Sequence, residues 1–288
     1  MIRNRRALIL AALAAGSAAA VLWRRRPRPW AGRPREPEGA LGDCWTRVDG
    51  LKIYTRVSCD PVPGRMPVVL VHGFGVSSRY MVPIGRRLAV EMPVYAPDLP
   101  GHGRSDDPER ALDVPELAGF LRRWMDAAGL ARAAFLANSM GCQIVAELAV
   151  RWPERADRLI LIGPTAEAGV RAFWPHLLRL LKIGWVERPS LLFLVTWDYA
   201  RAGPLELYRE MRHMFADRIE DKLPRIEVPV LVLRGEKDAV VPQRWAEQVA
   251  RLAGAAGVSV IPGAAHALNY SAADELMRTI RPFLRGRA

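Results

Sequence analysis

The chain has 288 residues, is 50% hydrophobic, and carries 42 Lys+Arg against 30 Asp+Glu, for a formal charge of +12. Such a composition excludes a disordered or collagen-like polymer and allows one large globular core or two small ones. Nine Arg and no acidic residue fall in residues 1–35, so the remaining 33 basic and 30 acidic side chains leave residues 36–288 at only +3, and a nucleic-acid partner read from overall charge loses its support.

The first element is a 17-residue apolar stretch, Ala7–Trp23, broken only by Gly16 and Ser17 and flanked by arginines on both sides. It just reaches the ~17-residue lower limit of a membrane span. The expected arrangement is a membrane anchor within residues 1–26. The alternative is an export signal, with Arg5-Arg6-Ala7-Leu8-Ile9 as a twin-arginine motif and Ala18-Ala19-Ala20 as a cleavage site. Arg24, Arg25, Arg26 and Arg28 straight after the stretch suit a headgroup layer better than the start of a translocated protein. Arginines on both flanks leave the orientation open. Residues 27–42 read as a basic, Pro-rich linker, and residues 43–288 as the globular domain. Its three cysteines, Cys44, Cys59 and Cys142, have neither the number nor the spacing of a disulfide framework or zinc cluster.

Cys44–Val48 and Leu51–Val57 alternate around Asp49-Gly50, which predicts a hairpin. Pro67–Val71 and Val94–Pro97 are short apolar runs of the kind buried on both faces of a sheet, with helical spacing over Met81–Val90 between them. Asp113 is the expected N-cap of a helix running to about Ala127. A strand over Ala133–Asn138, a helix over Met140–Arg151 and a strand over Leu159–Ile162 follow. Residues 165–225 interrupt the rhythm with helical, aromatic-rich sequence. Strand and helix then alternate again at Val228–Leu233, Gln243–Leu252, Val258–Ile261 and Ala272–Leu284. The pattern predicts an α/β fold: a mostly parallel central sheet covered by helices on both faces.

Ala137-Asn138-Ser139-Met140-Gly141 sits at a strand-to-helix junction, where a serine can occupy a sharp turn that lifts its hydroxyl above the sheet edge. The turn crowds the positions two before and two after the serine, and both Ala137 and Gly141 are small. A hydroxyl needs a base, and the base needs an acid to hold its tautomer. His72 and His102 read as loop-shaping residues, and His176 and His213 fall in the helical insertion. His266 follows the last strand, on the sheet edge that carries Ser139. Glu236 and Asp238, after strand Val228–Leu233, are the acid candidates, with Asp238 favoured by the Ala239-Val240-Val241-Pro242 turn behind it. The order is Ser139, Asp238, His266.

Together with His72-Gly73-Phe74-Gly75 and Asp98-Leu99-Pro100-Gly101-His102-Gly103-Arg104-Ser105, these pieces resemble the α/β-hydrolase fold family over about residues 43–288. Ala137 replaces the first Gly of the usual G-x-S-x-G. The resemblance implies an oxyanion hole made by the Phe74 and Met140 N–H groups, a helical cap at about 165–225, and chemistry that needs neither cofactor nor metal. Ser139, where some relatives carry aspartate, makes dehalogenase and epoxide hydrolase chemistry unexpected.

The insertion's aromatics, Phe173, Trp174, Trp185, Phe193, Trp197, Tyr199, Tyr208 and Phe215, suggest an apolar roof and a small apolar acyl or aromatic substrate; packing of the cap against the main domain is the plainer account of each. Arg179, Lys182 and Arg188 suit a solvated helix face better than a membrane-resting one. The expected function is a serine hydrolase of carboxylic esters or related acyl compounds. Thioesterase, lipase and perhydrolase stay open, as do carbon–carbon hydrolysis of a ring-cleavage product, suggested by Asn138-Ser139-Met140-Gly141, and a catalytically silent membrane-attached binding protein. Oligomeric state stays open too.

Overall fold

A computed structural model of the chain describes residues 35–170, 179 and 186–286. The expected anchor, the first half of the linker, His176, Lys182, Phe173, Trp174 and Trp185 lie outside the described residues. Among the described residues no helix is long and apolar enough to cross a membrane.

Asp49, at φ 52°, and Gly50, at φ 83°, close the hairpin between β1 (Leu41–Val48) and β2 (Leu51–Ser58). Both residues have the positive φ that this tight turn demands. The chain then lays down β3 (Val68–Val71), α1 (Val82–Leu88), β4 (Val94–Pro97), α2 (Val114–Ala127), β5 (Ala133–Asn138), α3 (Gly141–Arg151) and β6 (Ala156–Ile162). The interposed segment contributes α4 (Pro189–Ala202), α5 (Pro204–Ala216) and the short α6 (Ile219–Lys222). After it come β7 (Val230–Gly235), α7 (Gln243–Leu252), β8 (Val258–Ile261), the one-turn α8 (Leu268–Ser271) and α9 (Ala273–Leu284).

Eight strands form one sheet in the order β1-β2-β4-β3-β5-β6-β7-β8. The β1–β2 and β2–β4 pairs are antiparallel and all others parallel. Alternate residues of β3 enter opposite cores: Val69 and Val71 pack with α2, α3 and α7, and Val68 and Leu70 with α1 and α9. Both faces are therefore covered, which is why the central strands read as continuous apolar runs.

Asp113 caps α2 as expected. Its carboxylate accepts the Glu116 N–H at 2.9 Å while Glu116 accepts the Asp113 N–H at 3.0 Å, a reciprocal capping box. Cys142 is buried, and Cys44 and Cys59 are exposed; all three are free thiols.

Candidate active site

The carboxyl ends of the parallel strands β3, β5, β6, β7 and β8 reach one edge of the sheet, and the loops that leave them build the site. At the end of β5, Ser139 has φ 59°, a left-handed conformation that a non-glycine residue adopts only under constraint. Its N–H donates to Ile162 O at 2.9 Å, and α3 starts two residues on. The crowding at this turn is measurable: a Cβ at Gly141 would fall 2.6 Å from Val71 O and 2.7 Å from His72 O.

The loop after β3 lies against this turn. A Cβ at Gly73 would come within 3.0 Å of Asn138 O and of Ser139 Cβ. Tyr80 fastens the two loops: its hydroxyl accepts the Gly73 N–H at 2.8 Å and donates to Asn138 Oδ1 at 3.0 Å. The Asn138 amide in turn donates to Ile162 O and His266 O. Among the described residues neither the Phe74 nor the Met140 N–H donates to a protein acceptor.

Asp238, in the loop after β7, accepts the Val240 and Val241 N–H groups on Oδ1, at 2.8 and 2.9 Å. Its Oδ2 lies 2.8 Å from His266 Nδ1. A carboxylate only accepts, so Nδ1 carries the proton and Nε2 is the basic nitrogen. Burial works against charge on His266, but the attraction and hydrogen bond of Asp238 outweigh it and hold the imidazole pKa above the ordinary histidine value. Glu236, the other acid candidate, accepts the Gly263 N–H instead.

Ser139 and His266 line one cavity of about 130 Å³ with Phe74, Tyr80 and Glu187, roofed by Leu191, Leu192, Val195 and Tyr199 of α4. Among the described residues, α4 gives this cavity an apolar lining that is aliphatic except for Tyr199. Phe193 and Trp197 are exposed, because the turn of α4 that directs 191 and 195 inward directs 193 and 197 outward, and Tyr208 on α5 is exposed as well.

The alpha/beta hydrolase family model matches residues 68–279, well over half the chain. The chain belongs to the alpha/beta hydrolase family. Among curated relatives, it is 28% identical over 246 residues to a pimeloyl-[acyl-carrier protein] methyl ester esterase of Neisseria meningitidis, covering 76% of this chain and 93% of that one. Among solved structures, a membrane phospholipase A described as a bacterial virulence factor superposes with a TM-score of 0.74 at 25% identity, over 100% of this chain and 99% of that one. The enol-lactonase of Burkholderia xenovorans LB400 superposes with a TM-score of 0.70 at 23% identity, over 84% and 100%. The protein is a hydrolase of this family.

Several residues that shape this hydrolase's site carry no motif of their own. Gly163, after β6 and at φ 51°, lies beneath the His266–Asp238 pair; a Cβ there would sit 2.9 Å from His266 Cε1 and Nδ1 and 3.1 Å from Asp238 Oδ2. Glu210, buried on α5, accepts the Gly75 N–H and pairs with His102 Nε2 at 3.0 Å. His102 Nδ1 lies 3.0 Å from the Pro100 carbonyl. Both ring nitrogens face groups that only accept, so His102 is an imidazolium. Burial opposes that charge, and Glu210 overrides it, raising the His102 pKa to about 9. His72 is the opposite case. It accepts the Leu99 N–H on Nε2 and donates from Nδ1 to Gly73 O, and burial and the neighbouring His102 push its pKa down to about 3. Both histidines shape loops, as the sequence suggests, but only one is charged. His213 lies on α5, outside the lining of the Ser139 cavity. The Asp98 motif is structural: its carboxylate accepts the Ser78 and Arg104 N–H groups at 2.7 and 2.8 Å. Among the described residues no cluster of His, Cys, Asp and Glu could hold a metal ion.

Proposed function

We propose that this hydrolase cleaves carboxylic esters with a short, neutral, apolar acyl group through a serine-bound acyl intermediate. The supporting observation is a strained Ser139 that shares a small, largely apolar cavity with a histidine whose tautomer Asp238 holds. Ser139 Oγ attacks the ester carbonyl as His266 Nε2 takes its proton. The Phe74 and Met140 N–H groups stabilise the oxyanion, and Asp238 stabilises the imidazolium. Collapse breaks the carbon–oxygen bond, His266 returns the proton to the leaving alcohol, and water, activated by the same imidazole, releases the acid.

The cavity volume, about 130 Å³, is below the ~300–1,000 Å³ of sites for drug-sized ligands, which favours a short or slender acyl group. Glu187 places a carboxylate in the lining, and no Lys or Arg side chain joins it among the described residues. A dienoate from ring cleavage, itself an anion, would meet repulsion there, so ester hydrolysis is the better reading than carbon–carbon cleavage.

The apolar Ala7–Trp23 stretch with its flanking arginines, and the likeness to a membrane phospholipase A, support an enzyme held at a membrane by its N-terminus. Retention in washed membranes that is lost on removing residues 1–30 tests this, and mass spectrometry of the mature protein reads cleavage. For the chemistry, a fluorophosphonate probe should label the wild type and not Ser139→Ala. Across p-nitrophenyl esters of graded length, the short ones should react fastest. Equal labelling of both proteins, or no hydrolysis of any ester, would overturn the proposal.

A further inference from the structure

Among the polar side chains of the Ser139 cavity, Glu187 has no part in the steps above, yet it is among the most deeply buried carboxylates of the described chain, 1% exposed. It stands in the turn that enters α4, so it belongs to the interposed segment and not to the sheet edge. Oε1 accepts the Ala267 N–H at 2.7 Å and Oε2 accepts the Ser271 hydroxyl. Ala267 is the residue after His266, and Ser271 closes the one-turn α8 that follows it. The cap thus grips both ends of the short segment that starts at the histidine.

A carboxylate here does more than fill space. Around His266 stand Asp238 from the loop after β7, Arg234 from β7 and Glu187 from the cap. Asp238 and Glu187 favour the imidazolium and Arg234 opposes it. The next residue, Arg188, carries a charge that interacts with Glu187, Tyr270, Asp274 and Arg87. The charge on Glu187 is therefore anchored by a backbone N–H and a hydroxyl while its field reaches the imidazole.

We propose that Glu187 is a positioning residue for His266: it fixes the histidine loop to the cap and lends the imidazolium a second negative neighbour beside Asp238. The inference rests on His266 being the general base, as proposed above. During acylation positive charge develops on His266, and a fixed anion that needs no reorganisation stabilises it more than water would. The tie between cap and histidine loop and the second anion beside the base are thus supplied by one side chain, at the entry to α4.

Glu187→Gln separates charge from geometry. Its amide oxygen can accept the Ala267 N–H and its amide nitrogen can donate to Ser271 Oγ, so the loop keeps its ties and loses the field. The readout is the pH dependence of fluorophosphonate labelling and of kcat/KM for a neutral short-chain ester. With the charge gone, the imidazole pKa falls, so the acidic limb should move about one unit toward acid, and plateau kcat should fall about tenfold with KM nearly unchanged. Glu187→Asp keeps the charge, so its limb should stay at the wild-type position while kcat falls from the looser loop. If Glu187→Gln does not fold, Ser271→Ala serves. It removes the hydroxyl that quenches Oε2, and the limb should move toward alkaline pH. An acidic limb that stays put in the Gln variant, or in Ser271→Ala where that replaces it, would overturn the role of Glu187. Failure of the underlying reading is distinct: wild-type protein would then not label, or Ser139→Ala would label equally.

Discussion

Replacing Asp238 by Asn should silence the enzyme while leaving its fold intact, and the surrounding hydrogen bonds dictate why. The Oδ1 position faces two N–H donors, from Val240 and Val241 at 2.8 and 2.9 Å. An NH2 group cannot sit there, so the Asn carbonyl must take that side. The amide nitrogen then occupies the Oδ2 position, 2.8 Å from His266 Nδ1. It can only donate, which strips the proton from Nδ1 and moves it to Nε2, the nitrogen that has to receive the serine proton. The wrong tautomer in a Ser-His-Asp site costs roughly 10⁴-fold in kcat, or about 5.5 kcal/mol of transition-state stabilisation. Because both N–H groups keep their acceptor and the side chain keeps its shape, the melting temperature should stay within a few degrees. Hydrolysis of p-nitrophenyl butyrate and the rate of fluorophosphonate labelling, with thermal unfolding as the control, test this. A folded variant that keeps more than about a tenth of wild-type kcat would refute the assigned tautomer and, with it, the role of Asp238.

Gly163→Ala should lower kcat/KM about 100-fold, since the new methyl must displace His266 or Asp238 and small misplacements of reacting groups have costs of that order; unchanged kinetics in a folded variant would contradict the contact. The His102–Glu210 pair should make stability depend on alkaline pH. Its stabilisation is fully present below the ordinary histidine pKa of 6.5 and is lost as pH rises through about 9. The shift is worth roughly 3 kcal/mol. Urea midpoints should therefore fall across that window in the wild type and flatten there in Glu210→Gln; parallel profiles would show that the pair does not carry the charge. Asp113→Ala removes the reciprocal cap of α2 and should cost about 1 kcal/mol in chemical unfolding, with activity unchanged.

Elements whose character is set by nearby residues were legible in the chain alone. The Asp49-Gly50 hairpin, the apolar runs of β3 and β5 and the Asp113 cap follow from spacing and turn chemistry. So does the small-residue crowding around Ser139, and Gly141 is needed because backbone carbonyls at the end of the neighbouring strand β3 leave no room for a Cβ. Boundaries slipped where pairing partners extend a strand: β6 begins at Ala156 rather than Leu159 because its register with β5 reaches back to Ala133.

Burial and distant charge were not legible. Glu187 stands 80 residues from the Ala267 N–H it holds, and Glu210 stands 108 from His102. Nothing in either local sequence distinguishes these carboxylates from solvated ones. The same is true of His72 and His102, two similar loop histidines that end with opposite charge states because only one meets a buried anion. A chain specifies its turns and periodicities through neighbours a few residues apart. The protonation state of a side chain depends on dielectric and on whichever groups folding brings within a few ångströms, and that is decided only when the sheet edge and the cap close around one another.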